Sequence, residues 1–286
     1  MVRPAPLATL VAALLVAVPA GATPLRVVGS TTVNPLVSLA AEALRAERGL
    51  EIVVDTQGGS SGGIAALGEG RADLAMSSRP LTPEDSRRFP GVRFEPQRVA
   101  LDGVAVVVAK DVWEGGVRAL SREQLRGIYE GRIRNWKDLG GPDRRIVFFN
   151  KEPGRGTWEV FAHWLYGDPK TAPIASHPEV GANEEARQKV ATTPGAISQL
   201  SFAWADAERV FALGLSLDDG TVVPADLTTI TNGTYPLKRD LLLISNGPPA
   251  GSARELIDYL RGPRGRPIIE RLGYLPLPAG KGEGSR

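Results

Sequence analysis

The sequence predicts an α/β protein with a mostly parallel sheet and helices on both of its faces. Two observations carry this prediction: short apolar runs alternate with segments of helical periodicity, and several of the joining turns are rich in glycine. Residues 101–110, LDGVAVVVAK, form the most apolar of these runs, as expected of a strand that is buried on both faces. No repeat of 20–50 residues and no low-complexity linker is evident. We therefore expect either one large sheet or two lobes between which the chain crosses more than once.

In the first hundred residues, strands and helices alternate regularly. Leucines and alanines recur at helical spacing from residue 34, and Gly49 stands where a helix commonly ends. Thr82 followed by Pro83 predicts the cap and the first turn of another helix. The expected elements are strands at 25–29, 51–56 and 72–78 and helices at 34–49, 62–71 and 82–89.

The rest of the chain continues this alternation. Ser121 and Gln124, three residues apart at the start of a helical segment, have the pattern of a capping box. A strand at 144–150 leads directly into a loop that contains glycine and then into a helix at 158–167. The other expected elements are a helix at 120–131, turns and strands at 192–198 and 234–245, and closing helices at 252–262 and 264–273.

Three glycine-rich loops, each between a strand and a helix, are the clearest indication of a binding site. They are GSTT at 29–32, GGSSGG at 58–63 and GRGT at 154–157. At such turns the first amides of the helix have no partner within it and the helix dipole is positive, which favours an anion. Glycine permits close approach of the backbone, and serine and threonine add uncharged donors. We therefore expect a small oxyanion as the ligand.

Other interpretations of these loops stay open at this point. Clusters of glycine, serine and threonine also form ordinary turns and helix caps. Arg79, Lys151 and Arg155 could supply positive charge to an anion, although each is also of a type that lies solvated at protein surfaces. None of the loops has the spacing of a P-loop or of a dinucleotide-binding turn, so no nucleotide is indicated.

Composition argues against several other classes of protein. The chain has 286 residues, 42% of them hydrophobic, a net charge of +2 and no cysteine. No basic run with interleaved aromatic residues indicates a nucleic-acid partner. Glu159 lies one helical turn from His163 without an evident third metal ligand, and no G-x-S-x-G elbow is present. We expect a protein without enzymatic activity, metal or cofactor.

The first 22 residues have the pattern of a secretory signal peptide. Arg3 is followed by an uncharged, apolar run from Leu7 to Val18 and by the small residues AGA at 20–22. The run is too short to span a membrane, and no cysteine follows it that could carry a lipid. The sequence therefore predicts an exported protein that is free in the periplasm.

Taken together, these segments resemble the phosphate-binding component of bacterial phosphate ABC importers, within the broad group of periplasmic binding proteins. The resemblance covers nearly the whole chain after the first 22 residues. It rests on the three loops, the last of them within KEPGRGTWEVF at 151–161. Four further segments carry it: ADLAMSSRPL at 72–81, LSREQLRGIYEGRIRNWKDLGG at 120–141, GANEEARQKVATTPGAIS at 181–198 and LIDYLRGPRGRPIIERLGYLPL at 256–277.

The resemblance implies a two-lobe periplasmic-binding-protein fold, type II-like, with a ligand cleft between lobes that a hinge of crossing strands joins. Lobe 1 would comprise residues 24–101 and 236–286, and lobe 2 would comprise 102–235. The protein would capture inorganic phosphate in the cleft by hinge closure and deliver it to the membrane permease of an ABC importer. It would act as a monomer.

The resemblance also implies which residues contact the phosphate. They lie in the three loops and in the strand end that follows the second loop: Thr31, Thr32, Ser60, Ser78, Lys151, Arg155, Gly156 and Thr157. Arg79 is added as a cation that either faces the ligand or pairs with a carboxylate to brace its loop.

Three positions depart from the pattern of the family. Ser78 stands where some relatives carry an aspartate that accepts the proton of phosphate, a role left to a serine lone pair or to Asp102. Lys151 stands where relatives have arginine, and Arg155 replaces the serine of a Gly-Ser-Gly-Thr loop. These departures leave sulfate, molybdate or another oxyanion open as the ligand. A secreted phosphoester hydrolase and a secreted phosphate-binding sensor or adhesion protein are the alternatives from other classes.

Overall fold

The computed structural model describes residues 23–174 and 176–278, and the predicted signal peptide at 1–22 lies outside them. The strands in these ranges are β1 Leu25–Gly29, β2 Ile52–Asp55, β3 Leu74–Ser77, β4 Phe94–Ala109, β5 Ala119–Ser121, β6 Val147–Lys151, β7 Glu179–Val180, β8 Ala196–Ser201, β9 Val210–Ala212, β10 Gly214–Ser216, β11 Val222–Val223 and β12 Lys238–Asn246. The α-helices are α1 Asn34–Arg48, α2 Gly59–Gly68, α3 Pro83–Arg88, α4 Lys110–Glu114, α5 Arg122–Tyr129, α6 Gly156–Tyr166, α7 Asn183–Thr192, α8 Leu227–Asn232, α9 Gly251–Arg261 and α10 Arg266–Arg271. None of these helices is both long and apolar enough to cross a membrane.

Nine of the described strands form one sheet in the order β2-β1-β3-β12-β4-β8-β6-β7, with β9 also paired to β4. β1 is parallel to β2 and β3, and β6 is parallel to β7 and β8. By contrast, β12 is antiparallel to β3 and β4, and β4 is antiparallel to β8 and β9. The sheet is therefore mixed, and the prediction of a mostly parallel sheet was wrong for its centre. The reason is that β4 and β12 run in opposite directions between two parallel sets of strands.

Apolar side chains pack into two cores at the two ends of these central strands. The first core joins β1, β3, α1 and α9 to Val99 and Ala100 of β4 on one face of the sheet, and includes a smaller cluster of α2, β3 and β12 side chains. The second core includes α5, α6 and β8 and takes up β4 from Val104 onward, on both of its faces. The chain changes core again where it enters β12, because Leu237, directly before this strand, belongs to the second core and Leu241 belongs to the first. Two cores connected by two crossing strands are the arrangement expected of two lobes with a hinge.

β4 is longer than the sequence predicted. It begins at Phe94 rather than at residue 101 and has sixteen residues. Its first five residues are half-buried or exposed, so they lack the apolar run that marked the rest of the strand. In the antiparallel register, Asp102 of β4 lies directly opposite Arg239 of β12, at the place where both strands pass from one core to the other.

The starts of the helices decide where the binding loops lie. Thr82 caps α3, and Ser121 caps α5 in the predicted capping box with Gln124. α2 begins at Gly59 rather than at residue 62, and α6 begins at Gly156 rather than at residue 158. In α2 and α6, therefore, the glycine-rich residues are themselves the first turn of the helix, where backbone amides have no partner within the helix.

Candidate functional site

The three predicted loops meet in the folded chain. The hydroxyl of Ser30 donates to Ser78 Oγ at 3.0 Å, and the amide of Ser78 donates to Ser60 Oγ at 3.1 Å. Gly156, at the start of α6, lies against both of these serines. A Cβ atom at this position would stand 2.5 Å from Ser60 Oγ and 2.7 Å from Ser78 Oγ, so only glycine allows so close an approach. The first turns of α2 and α6 thus face one another across a small group of buried hydroxyls.

Arg239 lies at the centre of this group. Its Nε and Nη2 atoms donate to Asp102 Oδ2 at 2.9 and 2.7 Å, and both side chains are only 1% exposed. Its Nη1 atom donates to Thr157 Oγ1 at 2.9 Å, and its Nη2 atom lies 3.4 Å from Thr32 Oγ1. The guanidinium therefore touches a hydroxyl from the first loop and one from the third loop, and it supplies a buried positive charge between them.

Asp102 holds this guanidinium in place. Its second oxygen, Oδ1, accepts a hydrogen bond from Ser201 Oγ at 3.0 Å. Burial raises the pKa of Asp102, while the adjacent Arg239 cation opposes that rise. Because both carboxylate oxygens are engaged within the protein, the geometry favours Asp102 as the residue that orients Arg239 rather than as a direct acceptor for a ligand proton.

Lys151 lies at the end of β6, behind the third loop. It is 1% exposed, and its Nζ atom donates to the carbonyl oxygens of Gly181 and Ala182 at 2.9 and 2.6 Å. Burial lowers the pKa of Lys151 to about 7, and the positive charges of Arg155 and Arg239 act in the same direction. With that pKa, the amine of Lys151 changes between its neutral and its charged form close to pH 7.

The carbonyls that Lys151 braces lead directly into α7, whose first residue reaches the site. The side chain of Asn183 donates to Thr32 Oγ1 at 3.0 Å, and its own oxygen accepts from the amide of Ser201 at 3.4 Å. Asn183 belongs to a helix packed in the second core, whereas Thr32 precedes a helix of the first core. This hydrogen bond therefore connects the two halves of the molecule.

The two other predicted cations are paired with carboxylates. Arg155 donates from Nε and Nη2 to Glu152 Oε2 at 2.8 and 2.7 Å. Arg79 is bonded through Nη1 and Nη2 to Asp85 at 2.7 and 3.1 Å and forms an ion pair with Glu159. Of the two placements that the sequence left open for Arg79, the structure has the one in which a carboxylate braces it.

The structure thus brings together five of the nine predicted site residues, namely Thr32, Ser60, Ser78, Gly156 and Thr157. Thr31 adjoins them in the first loop and is half-buried. Lys151 lies behind the third loop, and Arg79 and Arg155 lie in the carboxylate pairs described above.

Sequence reasoning missed three members of the cluster, Ser30, Asn183 and Arg239, and considered Asp102 only as a proton acceptor. For one pair a signal was present. Asp102 is the only acidic residue of the apolar run at 101–110, and Arg239 lies two residues before the apolar segment LLLI at 241–244. A carboxylate buried in such a strand requires a cation nearby, because an unpaired buried charge is costly.

The structure gives no support to a metal site at Glu159 and His163. The carboxylate of Glu159 is occupied by Arg79 and by the hydroxyl of Ser61, which donates to it at 2.7 Å. Across residues 23–174 and 176–278, no group of three or more histidine, cysteine, aspartate or glutamate side chains has an arrangement that could hold a metal ion.

Two α/β lobes, two crossing strands and a buried polar site between the lobes define the class of periplasmic binding proteins. Comparison with known proteins agrees with this class, because residues 16–264 match the PBP superfamily domain. The chain is 30% identical to the phosphate-binding protein PstS of Bacillus subtilis over 258 residues, which cover 88% of this chain and 80% of that protein. It is 27% identical to PstS of Borreliella burgdorferi over 256 residues, 87% and 88% of the two chains. The chain therefore belongs to the phosphate-binding protein family of the PBP superfamily.

Solved structures resemble about nine tenths of this chain. A chain from Clostridium perfringens, assigned to the phosphate ABC transporter substrate-binding proteins and crystallised with bound phosphate, is 26% identical with a TM-score of 0.78. The match covers 90% of this chain and all of that one. An ABC-type phosphate transport receptor from Vibrio cholerae is 28% identical with a TM-score of 0.69, and 89% of this chain and all of that one are covered.

Proposed function

We propose that the protein captures inorganic phosphate between its two lobes and delivers it to the membrane permease of an ABC importer. The observation that carries this proposal is the buried guanidinium of Arg239, which is surrounded by hydroxyls from both sides of the cleft. A compact anion such as phosphate is the ligand that suits one fixed cation, several hydroxyl donors and three helix N-termini. The names of the relatives and the phosphate-bound structure support the same ligand.

The proposed division of the chain is the one expected from the sequence, with lobe 1 at 24–101 and 236–286 and lobe 2 at 102–235. The change of core along β4 between Ala100 and Val104, and at the start of β12 between Leu237 and Leu241, supports boundaries close to these. The ligand would lie where both strands cross.

Capture requires the lobes to move. The hydroxyl-bearing residues Thr32, Ser60, Ser78 and Thr157 are at most 3% exposed, so an anion has no direct path to them in this closed arrangement. We infer that lobe 2 swings away from lobe 1 to admit phosphate and that closure brings Gly156 and Thr157 onto it, as in other hinge-bending proteins.

We assign the ligand contacts to two groups of residues. Thr31, Thr32, Ser60 and Ser78 would act from lobe 1, and Gly156 and Thr157 would act from the start of α6. Arg239 would be the main cation, and Lys151 would add charge from behind the third loop. Arg155 and Arg79 would act at a distance, since carboxylates hold both of them.

The remaining parts of the proposal concern context. We propose a binding role without catalysis, export of the protein through the segment at 1–22, and action as a monomer with its permease. Phosphoester hydrolysis is not favoured, because the named relatives are binding and transport proteins.

The test is isothermal titration of the phosphate-stripped protein with phosphate, sulfate and molybdate at equal concentrations. We expect phosphate to bind and sulfate not to displace it. Stronger binding of sulfate or molybdate would change the proposed ligand, and the proposed role in transport would stand. Absence of binding by all three anions would overturn the proposal, and turnover of a chromogenic phosphoester that is lost in Thr32→Ala would replace it with a hydrolase.

A further inference from the structure

Glu159 connects the two lobes without belonging to the hydroxyl cluster. It lies in the first turns of α6 in lobe 2, but both of its partners belong to lobe 1. Its carboxylate pairs with Arg79, which follows β3, and accepts a hydrogen bond at 2.7 Å from Ser61 of α2. Its side chain is 16% exposed and that of Arg79 is 5% exposed, so the ion pair is largely buried at the edge of a cavity that both residues line.

The lobe 1 side of this contact is fixed before the lobes meet. Asp85 of α3 binds two nitrogens of Arg79, and the carbonyl of Pro80 accepts from Nη1 at 2.9 Å. A fourth bond runs from Nη2 to Ser61 Oγ at 3.0 Å. All of these partners lie in lobe 1, so the guanidinium is already oriented with its Nε side directed at lobe 2. Glu159 thus meets a pre-positioned cation rather than a flexible side chain.

The contact acts directly on the third binding loop. The carbonyl oxygen of Gly154 accepts a hydrogen bond from the amide of Ser61 at 3.1 Å. Gly154 and Glu159 therefore each bind lobe 1, the first through its carbonyl oxygen and the second through its carboxylate. They flank Gly156 and Thr157, the two residues that close on the ligand. The position of α6 over Ser60 depends on both contacts. The contact of Glu159 is made by a side chain, so a substitution can remove it.

We propose that Glu159 is a positioning residue for anion capture, which with Arg79 and Ser61 forms an interlobe latch that slows ligand release. This inference rests on the proposed function for its ligand. The latch forms only when the lobes close, so it stabilises the closed form with or without an anion and takes no part in the approach of an anion to the open cleft. Its removal therefore accelerates dissociation and leaves the rate of association nearly unchanged.

The experiment measures phosphate association and dissociation rates by stopped flow for the wild type and for Glu159→Gln, which preserves the size of the side chain. We expect the dissociation rate to rise about tenfold or more, as loss of a charged, buried partner implies, with the association rate within about twofold. Glu84→Gln is the matched control, because Glu84 pairs with Lys170 across the same lobes but at side-chain exposures of 54% and 69%. The rate at which phosphate dissociates from Glu84→Gln should differ from the wild-type rate by less than about twofold.

A second readout does not depend on the ligand. The natural chain has no cysteine, so Arg87→Cys on α3 and Thr171→Cys in lobe 2 can carry two spin labels. The Glu84–Lys170 contact brings these two segments together in the closed form. In the ligand-free protein, Glu159→Gln should shift the label distances toward longer values, and Glu84→Gln should not.

These outcomes separate the inference from the proposed function. Faster release and longer label distances in Glu159→Gln support the latch. A dissociation rate and a distance distribution equal to those of the wild type overturn it. If the wild-type protein binds no phosphate, the proposed function fails, and the label distances alone then decide whether Glu159 holds the lobes together.

Discussion

Arg239→Met is the substitution that most directly tests the centre of the site. The side chain of methionine fills part of the same space but carries no charge and no donor. In the wild type, Arg239 forms an ion pair with Asp102 and donates to Thr157 at 2.9 Å, and both ionic side chains are 1% exposed. The substitution therefore has two separate effects: it removes the cation that the anion needs, and it leaves a buried carboxylate without its partner.

Both effects can be given a magnitude. Breaking a buried ion pair by removing one partner costs about 3–5 kcal/mol of folding stability. Loss of a buried, hydrogen-bonded charge that contacts a ligand costs about 2–5 kcal/mol of binding free energy. At 1.4 kcal/mol per factor of ten, this corresponds to a dissociation constant for phosphate that is about 30-fold to about 4,000-fold higher.

The double variant Arg239→Met/Asp102→Asn separates the two effects. An asparagine at 102 removes the unpaired charge and can still accept from Ser201, which donates to Asp102 at 3.0 Å. We expect denaturant unfolding of the ligand-free protein to show most of the lost stability restored, because a buried pair replaced as a whole is often close to neutral. Isothermal titration should show that phosphate binding stays lost. Binding by the double variant with an affinity near that of the wild type would refute the role assigned to Arg239.

Two further predictions concern the third loop. Burial lowers the pKa of Lys151 to about 7, so at pH 8 this lysine is mostly neutral and should take up as much as about one proton when phosphate binds. Titrations at pH 8 in two buffers of different ionisation enthalpy should then show that the wild type takes up more protons per phosphate than Lys151→Met, and an equal uptake by both proteins would contradict this. A Cβ at Gly156 would stand 2.5 Å from Ser60 Oγ, so Gly156→Ala should raise the phosphate dissociation constant about tenfold or more by blocking closure. Gly91→Ala, which adds a Cβ in open space, should leave that constant unchanged.

The loops of the site were predictable because their signals are local in the sequence. Each of the segments 29–32, 58–63 and 154–157 carries its glycine and its hydroxyls within a few residues, and a strand-to-helix turn places such residues at a helix start. The caps Thr82 and Ser121 were predictable for the same reason, since Pro83 directly follows the first and a capping box at the second spans only four residues. The structure then added that the three loops meet, which no local pattern states.

The ion pair at the centre of the site was harder to predict because its two residues are distant in sequence. Asp102 and Arg239 become neighbours through the antiparallel register of β4 and β12, and that register follows from the long crossing of the chain. The same crossing explains why the sheet is mixed. Parallel pairing is implied by alternation of strand and helix, whereas two strands that return between the lobes leave no comparable sign in the sequence.

The location of Asp102 and Arg239 on β4 and β12 has a mechanical consequence. Both residues lie where the strands pass from one core to the other, which is the axis about which the lobes would turn. A group on the hinge axis moves least when the lobes rotate. The start of α6 lies away from this axis and moves farther. The cation therefore keeps nearly the same position in the open and the closed protein. The ion pair that attracts the anion is therefore in place before the anion arrives, and closure of the lobes serves to enclose the anion.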